Sequence, residues 1–416
     1  MKGWRRLRIS EFAEVIGGGT PSTKIDNYYG GEIPWLTPKD LTNYSYKRIS
    51  KGERSITEEG LKNSSAKLLP KNSILLTSRA PIGYLAIADN EICTNQGFKS
   101  LVVNPNLADY EFVYYLLLKN VEFLKSLGTG TTFAEISGSV VKSIEFDLPP
   151  LPTQKAIAEI LSSLDDKIEL NNQINQNLEA LAQALFKQWF VDFEFPNENG
   201  EPYKSSGGEM VDSELGEIPK GWEVALIEKI AKNVRKTINP NETEINTKYL
   251  GLEHLPQKNL AVSSWDYSDK VTSQKSFFEE NDILFGKLRP YFHKVVIAPF
   301  EGICSTDILV IRPKSKNLHS YLLMTLFSEE LVSYATNVSG GTRMPRVSWS
   351  DIASYKIPIA SAEVFEKFNS ATSSFFEQIK EGILENKNLK ELRDTLLPKL
   401  ISGELEVNES LLEQTL

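Results

Sequence analysis

Apolar residues along this chain follow two alternating rhythms. Over residues 1–150 and again over 221–360, short runs rich in Val, Ile, Leu and Tyr are broken by Gly, Pro and Asn, the pattern of strands and turns. Ser73–Thr77, Tyr84–Ala88, Asp282–Phe285 and Lys294–Ala298 are expected strands. Asp109–Leu127 and Leu318–Ala335 carry helical periodicity. Between and after these blocks the rhythm lengthens. From Thr153, a plausible N-cap, to Phe190, apolar residues recur at heptad spacing. Ile157, Leu164, Leu178 and Leu185 form one row, with Asn171 in the same row, where an asparagine can fix register. Ile160, Ile174 and Leu181 are expected to form the second row. A second long helix is expected from about Ala362 to Leu400. Phe375, Ile379, Leu389, Leu392, Leu396 and Leu400 mark its apolar side, Gly382 weakens it, and Pro398 signals a kink or fraying near its end.

The two rhythms are one pattern written twice, about 211 residues apart. Asn72-Ser-Ile-Leu-Leu76 parallels Asn281-Asp-Ile-Leu-Phe285, and Ile92-Cys-Thr94 parallels Ile303-Cys-Ser305. Val102-Val-Asn-Pro105 parallels Val310-Ile-Arg-Pro313. Gly130-Thr131 and Ile136-Ser137 match Gly341-Thr342 and Val347-Ser348, and Asn177-Leu178 matches Asn388-Leu389. The fold class is therefore α+β: two mixed α/β globular domains with two long helices forming an antiparallel coiled coil, in a pseudo-twofold duplication. The boundaries read as 1–150 for the first domain, 151–191 for the central helix and 192–220 for a linker. The second domain follows at 221–360, then the C-terminal helix and tail at 361–416. Long seams need partners, and two in one chain most simply pack on each other, holding the domains at opposite ends of a rod.

Charge refines this. The net charge of −9 is uneven: +2 over 1–150, −8 over 151–220, +2 over 221–360 and −5 over 361–416. The acid lies in the helices and linker, and the mildly basic domains permit nucleic-acid binding. No apolar run is long enough for a membrane span, and Met1–Arg8 is polar and basic, unlike a secretion signal. A cytoplasmic location is expected. Cys93 and Cys304 are too few for a disulfide framework or zinc cluster.

Catalytic patterns are missing. Gly17-Gly-Gly-Thr-Pro21 lacks the lysine and spacing of a phosphate loop. His254, His293 and His319 are not at metal-ligand spacing. Asp147-Leu-Pro-Pro150 has the wrong order for an amino-methyltransferase motif, and Ser137 and Ser348 have no evident triad partners. A duplicated chain without a paired catalytic constellation reads as a binding scaffold. A coiled-coil adaptor without DNA specificity is the alternative.

Five segments carry a resemblance along the whole length: Gly18-Gly-Thr-Pro-Ser22, Ile33-Pro-Trp-Leu36, Leu148-Pro-Pro-Leu-Pro152, Trp189-Phe-Val-Asp-Phe193 and Ser213-Glu-Leu-Gly-Glu-Ile-Pro-Lys-Gly-Trp222. The ending Leu396-Leu-Pro-Lys-Leu-Ile-Ser-Gly403 adds to it. In these the chain resembles the specificity subunits of type I restriction–modification systems. That resemblance implies a non-catalytic subunit with two target-recognition domains, each reading half of a bipartite double-stranded DNA target. The helices would be the ruler and the docking surface for two modification (adenine methyltransferase) subunits, with restriction/translocase subunits joining indirectly. It implies no cofactor in this chain; S-adenosylmethionine, ATP and Mg would belong to partner subunits. Ile157, Leu164, Ile174, Leu178, Leu181, Leu185, Phe375, Ile379, Leu389, Leu392 and Leu396 would serve the coiled coil and partner binding. The halves differ where Gly18-Gly-Thr-Pro21 faces Val234-Arg-Lys-Thr237, so an asymmetric target is expected.

Candidate DNA contacts come from polar loops at matching positions. In the first domain these are Thr20, Ser22, Lys24, Lys39, Ser78, Arg79, Asn95, Gln96, Thr129, Thr131 and Thr132. In the second they are Lys236, Lys287, Arg289, Tyr291, Thr306, Asp307, Thr342, Arg343 and Arg346. Arg and Lys suit guanine, Asn and Gln suit adenine, and Ser, Thr and Lys hold phosphates.

Overall fold

The computed structural model describes residues 3–42, 44–130, 134–341 and 343–407. The chain divides into two compact units. One comprises Met1–Glu169 with Leu389–Leu416, the other Leu170–Asn388. Each long helix contributes to both.

The first unit is built on a five-stranded sheet in the order Ala13–Gly17, Lys99–Val103, Ile74–Ser78, Ile82–Ala88, Arg48–Ile49. All neighbours are antiparallel except the last pair. The central strand Ile74–Ser78 is buried along its whole length, which its unbroken Ile-Leu-Leu run requires of a strand covered on both faces. A smaller sheet sets Cys93–Thr94 parallel to Tyr29–Leu36. Arg5–Arg8 pairs with Glu145–Leu148, closing the domain where it began.

The second unit repeats the arrangement. Ala231–Asn233, Ile308–Pro313, Ile283–Gly286 and Val295–Ile297 form an antiparallel sheet in the same order, Gly302–Cys304 runs parallel to Lys248–Leu250, and Glu223–Leu226 pairs with Lys356–Ile359. The repeat extends to dihedral angles. Asn72 and Asn281, each two residues before its central strand, both have φ of 69°. Asparagine tolerates this left-handed conformation better than most residues.

The expected helices at 109–127 and 318–335 are each divided. Asp109 caps Tyr110–Lys119, and Val121–Ser126 follows. His319–Phe327 gives way to Glu329–Val338, capped by Ser328, whose hydroxyl accepts from the Leu331 N–H. Residues 192–220 look like a linker in composition but are folded. Met210–Ser213 pairs with Gly216–Pro219, and Phe195 stacks on Tyr203 and Trp222 with centroids 4.6 and 5.0 Å away.

The central helix spans Leu151–Phe186. It starts two residues before Thr153, because Pro152 sits in the first turn, where its missing N–H has no intrahelical partner to lose. One expected seam row holds: Ile157 and Asn171 are buried, and Leu164, Leu178 and Leu185 half-buried. The other row is displaced by one residue. Leu161, Ile168, Asn175 and Ala182 are buried, whereas Ile174 and Leu181 are 39% and 52% exposed and Ile160 is half-buried. The large aliphatic side chains suggested a step of three; the packing takes a step of four through a small and a polar residue. The C-terminal helix, Ala362–Ser402, runs on through Pro398. Ile379 is buried, Phe375, Leu389 and Leu396 are half-buried, and Leu392 is exposed. No helix among the described residues is long and apolar enough to cross a membrane.

Within the second unit the two helices pack antiparallel. Asn171 Nδ2 donates to Asn386 Oδ1 at 3.0 Å and to Glu385 Oε2 at 2.7 Å, while Phe186 meets Phe368 farther along. A Cβ on Gly382 would lie 2.9 Å from Asn175 Oδ1, so the glycine that weakens this helix also admits the asparagine facing it. In the first unit Asp165 receives Arg393 Nη1 at 2.6 Å.

On the second unit's stretch of the central helix, Glu179 Oε2 accepts the Leu260 N–H at 2.7 Å. Burial pushes this carboxyl from its ordinary 4.5 up to about 7, against the opposing effect of that N–H. The folded state therefore keeps a proton that the unfolded chain releases near 4.5. Its contribution is full below that value, and stability falls as pH rises through about 7. Glu179→Gln keeps an acceptor for Leu260 and removes the titration. It is expected to raise stability at pH 8 by on the order of 2–3 kcal/mol relative to the parent chain, with little difference at pH 4.5. Urea unfolding of both proteins at the two pH values checks this; equal gains at both would refute it.

Candidate nucleic-acid interface

In the first domain the entry segment, the end of the central strand, the turn after Cys93–Thr94 and the loop before Ile136 come together. Two glycines permit it. A Cβ on Gly18 would lie 2.0 Å from the Asn95 carbonyl, and one on Gly19 would lie 2.3 Å from Ala66 N. The segment is fixed by Gly19 N–H to Thr94 O at 2.9 Å, by Trp35 Nε1 to Gly19 O at 2.9 Å and by Tyr29 OH to Pro21 O at 2.7 Å. This seats the Thr20 hydroxyl on Gln96 Oε1. The Asn95 side chain caps its own turn by accepting the Gly97 N–H at 2.8 Å.

Ser78 does not reach the surface. It is fully buried, and both its N–H and its hydroxyl donate to Gly97 O, at 2.7 and 3.1 Å. It holds the strand end against the turn and is no base or phosphate contact. The next residue, Arg79, emerges beside Glu135. Thr129 and Glu135 exchange both backbone bonds at 3.0 Å, closing the loop between them. Thr131 and Thr132 lie outside the described residues. Lys24, Ser22 and Lys39 are exposed, and Lys39 pairs with Glu53 at 2.8 Å.

The second domain makes the same crossing with other side chains. Lys287 N–H donates to Asp307 O at 2.8 Å, and Val347 N–H donates to Lys287 O at 3.1 Å, just as Ser78 receives Ile136 N–H at 3.0 Å. Arg289 N–H bonds Pro345 O at 2.8 Å. Ala80 and Arg289 occupy the same place, each before a proline, with φ of 54° and 51°. Strained backbone of this kind tends to persist at binding sites. A groove of about 540 Å³ is lined by Arg235, Thr237, Ser276, Lys287, Thr306 and Arg346, among others. Burial holds the Lys287 ammonium below its ordinary value; Asp307 offsets this and Arg346 adds to it. The Lys236 ammonium sits 3.8 Å from the centre of the Phe277 ring. Tyr291 and Arg343 are exposed, and Arg346 pairs with Asp307. Thr342 lies outside the described residues.

Sequence reasoning passed over Glu135 and Lys99, whose ammonium lies 3.3 Å from Glu135. The available signal was positional, because Glu135 stands where the repeat puts Arg346.

A family model described as the type I restriction modification DNA specificity domain matches this chain twice, over residues 1–180 and 219–392. The MjaIX specificity subunit of Methanocaldococcus jannaschii is 39% identical over 420 residues, covering 98% of this chain and 95% of that protein. The HindI specificity subunit of Haemophilus influenzae is 25% identical, covering 97% and 100%. Among solved structures, the type I restriction–modification S subunit from M. genitalium shares the fold, with a TM-score of 0.59 over 96% of both chains at 18% identity. A duplicated crossing of polar loops, two matches to one specificity-domain family and full-length relatives agree: the chain belongs to the type I restriction–modification specificity subunits, the non-catalytic components that give these enzymes their DNA specificity.

Proposed function

We propose that each recognition domain reads one half of an asymmetric, bipartite double-stranded DNA target. The observation that carries this reading is the repeated crossing: one backbone frame presents Thr20, Arg79, Gln96 and Thr129 in one domain and Lys287, Thr306, Asp307 and Arg346 in the other. Equal frames with unlike side chains suit two unlike half-sites. The two long helices fix the spacing between readers and dock two modification subunits. Exposed Leu170, Ile174 and Leu181 on the central helix support that role, since a solvated face has no use for three large aliphatic groups at helical spacing. Restriction/translocase subunits join this core, and S-adenosylmethionine, ATP and Mg act on the partner subunits.

The test is sequencing of methylated positions in DNA treated with this chain assembled with its modification subunits. A single motif of two unlike halves, separated by bases of any identity, is the expected result. Methylation without sequence preference would identify the chain as a protein adaptor instead.

A further inference from the structure

Both domains hold an arginine against a carboxylate at the same crossing, but the brace is assembled from opposite sides. In the first, Arg79 follows the central strand and its Nη1 lies 3.3 Å from Oε2 of Glu135 on the loop. In the second the loop supplies the arginine, and Arg346 Nη2 lies 2.7 Å from Oδ1 of Asp307, on the turn after Gly302–Cys304. Glu135 and Arg346 are equivalent positions. Each closes its loop by a backbone bridge, with Thr129 or Gly340, and each precedes the residue whose N–H reaches the strand end, Ile136 or Val347.

Stability does not account for these pairs. The side chains of Arg79 and Arg346 are 35% and 57% exposed, and pairs this open contribute at most about 1 kcal/mol. Recognition does account for them. A guanidinium reads guanine through two parallel N–H bonds to O6 and N7. One amino group held by a carboxylate leaves the remaining N–H groups in a set plane, so less rotational freedom is lost on binding. We propose that Arg79 and Arg346 each read a guanine in their own half-site, with Glu135 and Asp307 as the residues that position them. This rests on the reading of each domain as a half-site reader.

The experiment uses the complex with its modification subunits, methylating a plasmid library randomised across the target, followed by sequencing. Arg346→Ala and Asp307→Asn are expected to relax one G·C position in one half-site by about 10- to 100-fold and leave the other half unchanged. Arg79→Ala and Glu135→Gln do the same to one position in the other half. Arg346→Lys keeps the charge but has no planar fork for Asp307 to hold, so it weakens the preference at the same position less than alanine does, while Asp307→Glu keeps the preference. A uniform fall in methylation with an unchanged motif would make these arginines phosphate contacts and overturn the proposal, leaving the half-site reading intact. A parent motif with no G·C pair in either half would overturn it equally. A parent complex with no motif at all would overturn the half-site reading itself. Thermal melting of each assembled variant separates unfolding from relaxed reading, and the surface-conservative Arg346→Lys keeps the question decidable if the alanine variant fails to fold.

Discussion

Replacing Phe368 by alanine is expected to destabilise the second unit by about 3–5 kcal/mol. The ring is fully buried, with centroids of Phe190, Trp189 and Phe186 at 5.0, 5.5 and 6.4 Å. The same cluster reaches Phe365 and Tyr321 through Phe190, at 5.9 and 4.6 Å. It therefore joins the end of the central helix, the start of the C-terminal helix and a helix of the recognition domain. A widened turn at Lys187–Val191 places consecutive Trp189 and Phe190 both inside. Rings meeting edge to face around Phe368 cannot collapse into the space an alanine leaves without breaking several such contacts. Denaturant unfolding followed by tryptophan fluorescence reports the transition of this unit through Trp189 and Trp222. A loss below about 1 kcal/mol would mean the cluster closes over the cavity.

The duplication was legible because its markers are backbone markers. Asn72 and Asn281 stand where the chain needs a left-handed turn, and the Ile-Leu runs after them become the fully buried central strands. Such requirements are local, so short strings carry them. The site was legible only in outline. Arg79 and Glu135 are 56 positions apart and meet because Ser78 receives Ile136. No periodicity announces a contact of that range, and the same fact turned Ser78 from a presumed contact into a buried support. The second row of the helix seam was misplaced by one residue for a different reason. Hydrophobic size pointed to Ile174 and Leu181, yet burial went to Asn175 and Ala182, because the facing helix supplies Gly382 opposite the asparagine. A seam belongs to two helices, and one of them read alone overvalues bulk. The aromatic stack that folds residues 192–222 was hidden in the same way, under a composition rich in Gly, Pro and acid.

The largest electrostatic effect is expected in the first unit. Asp165, with its side chain 11% exposed, receives Arg393 Nη1 at 2.6 Å and the Tyr115 hydroxyl at 2.6 Å. Burial and the Asp165 charge both push the Tyr115 hydroxyl up, so it stays a proton donor. Asp165→Ala leaves a largely buried guanidinium and a buried hydroxyl without their acceptor, and the expected cost is about 3–5 kcal/mol. Asp394, which also accepts from Arg393 at 2.8 Å, is exposed and offsets only part of it. The repeat supplies the control. Shifting by about 211 residues carries Asp165 onto Phe376 and Arg393 onto Ala182, both buried in the apolar core of the second unit. One unit thus fills with an ion pair the layer that the other fills with a ring and a methyl group. Buried ion pairs replaced by apolar groups of fitting volume are often neutral in stability. The double variant Asp165→Phe with Arg393→Ala is therefore expected to recover most of what Asp165→Ala loses, short of the hydrogen bond to Tyr115. Unfolding measured for the parent chain, the single variant and the double variant decides the matter. A double variant as unstable as the single one would show that the charge pair specifies this layer in a way the duplicated apolar solution cannot replace.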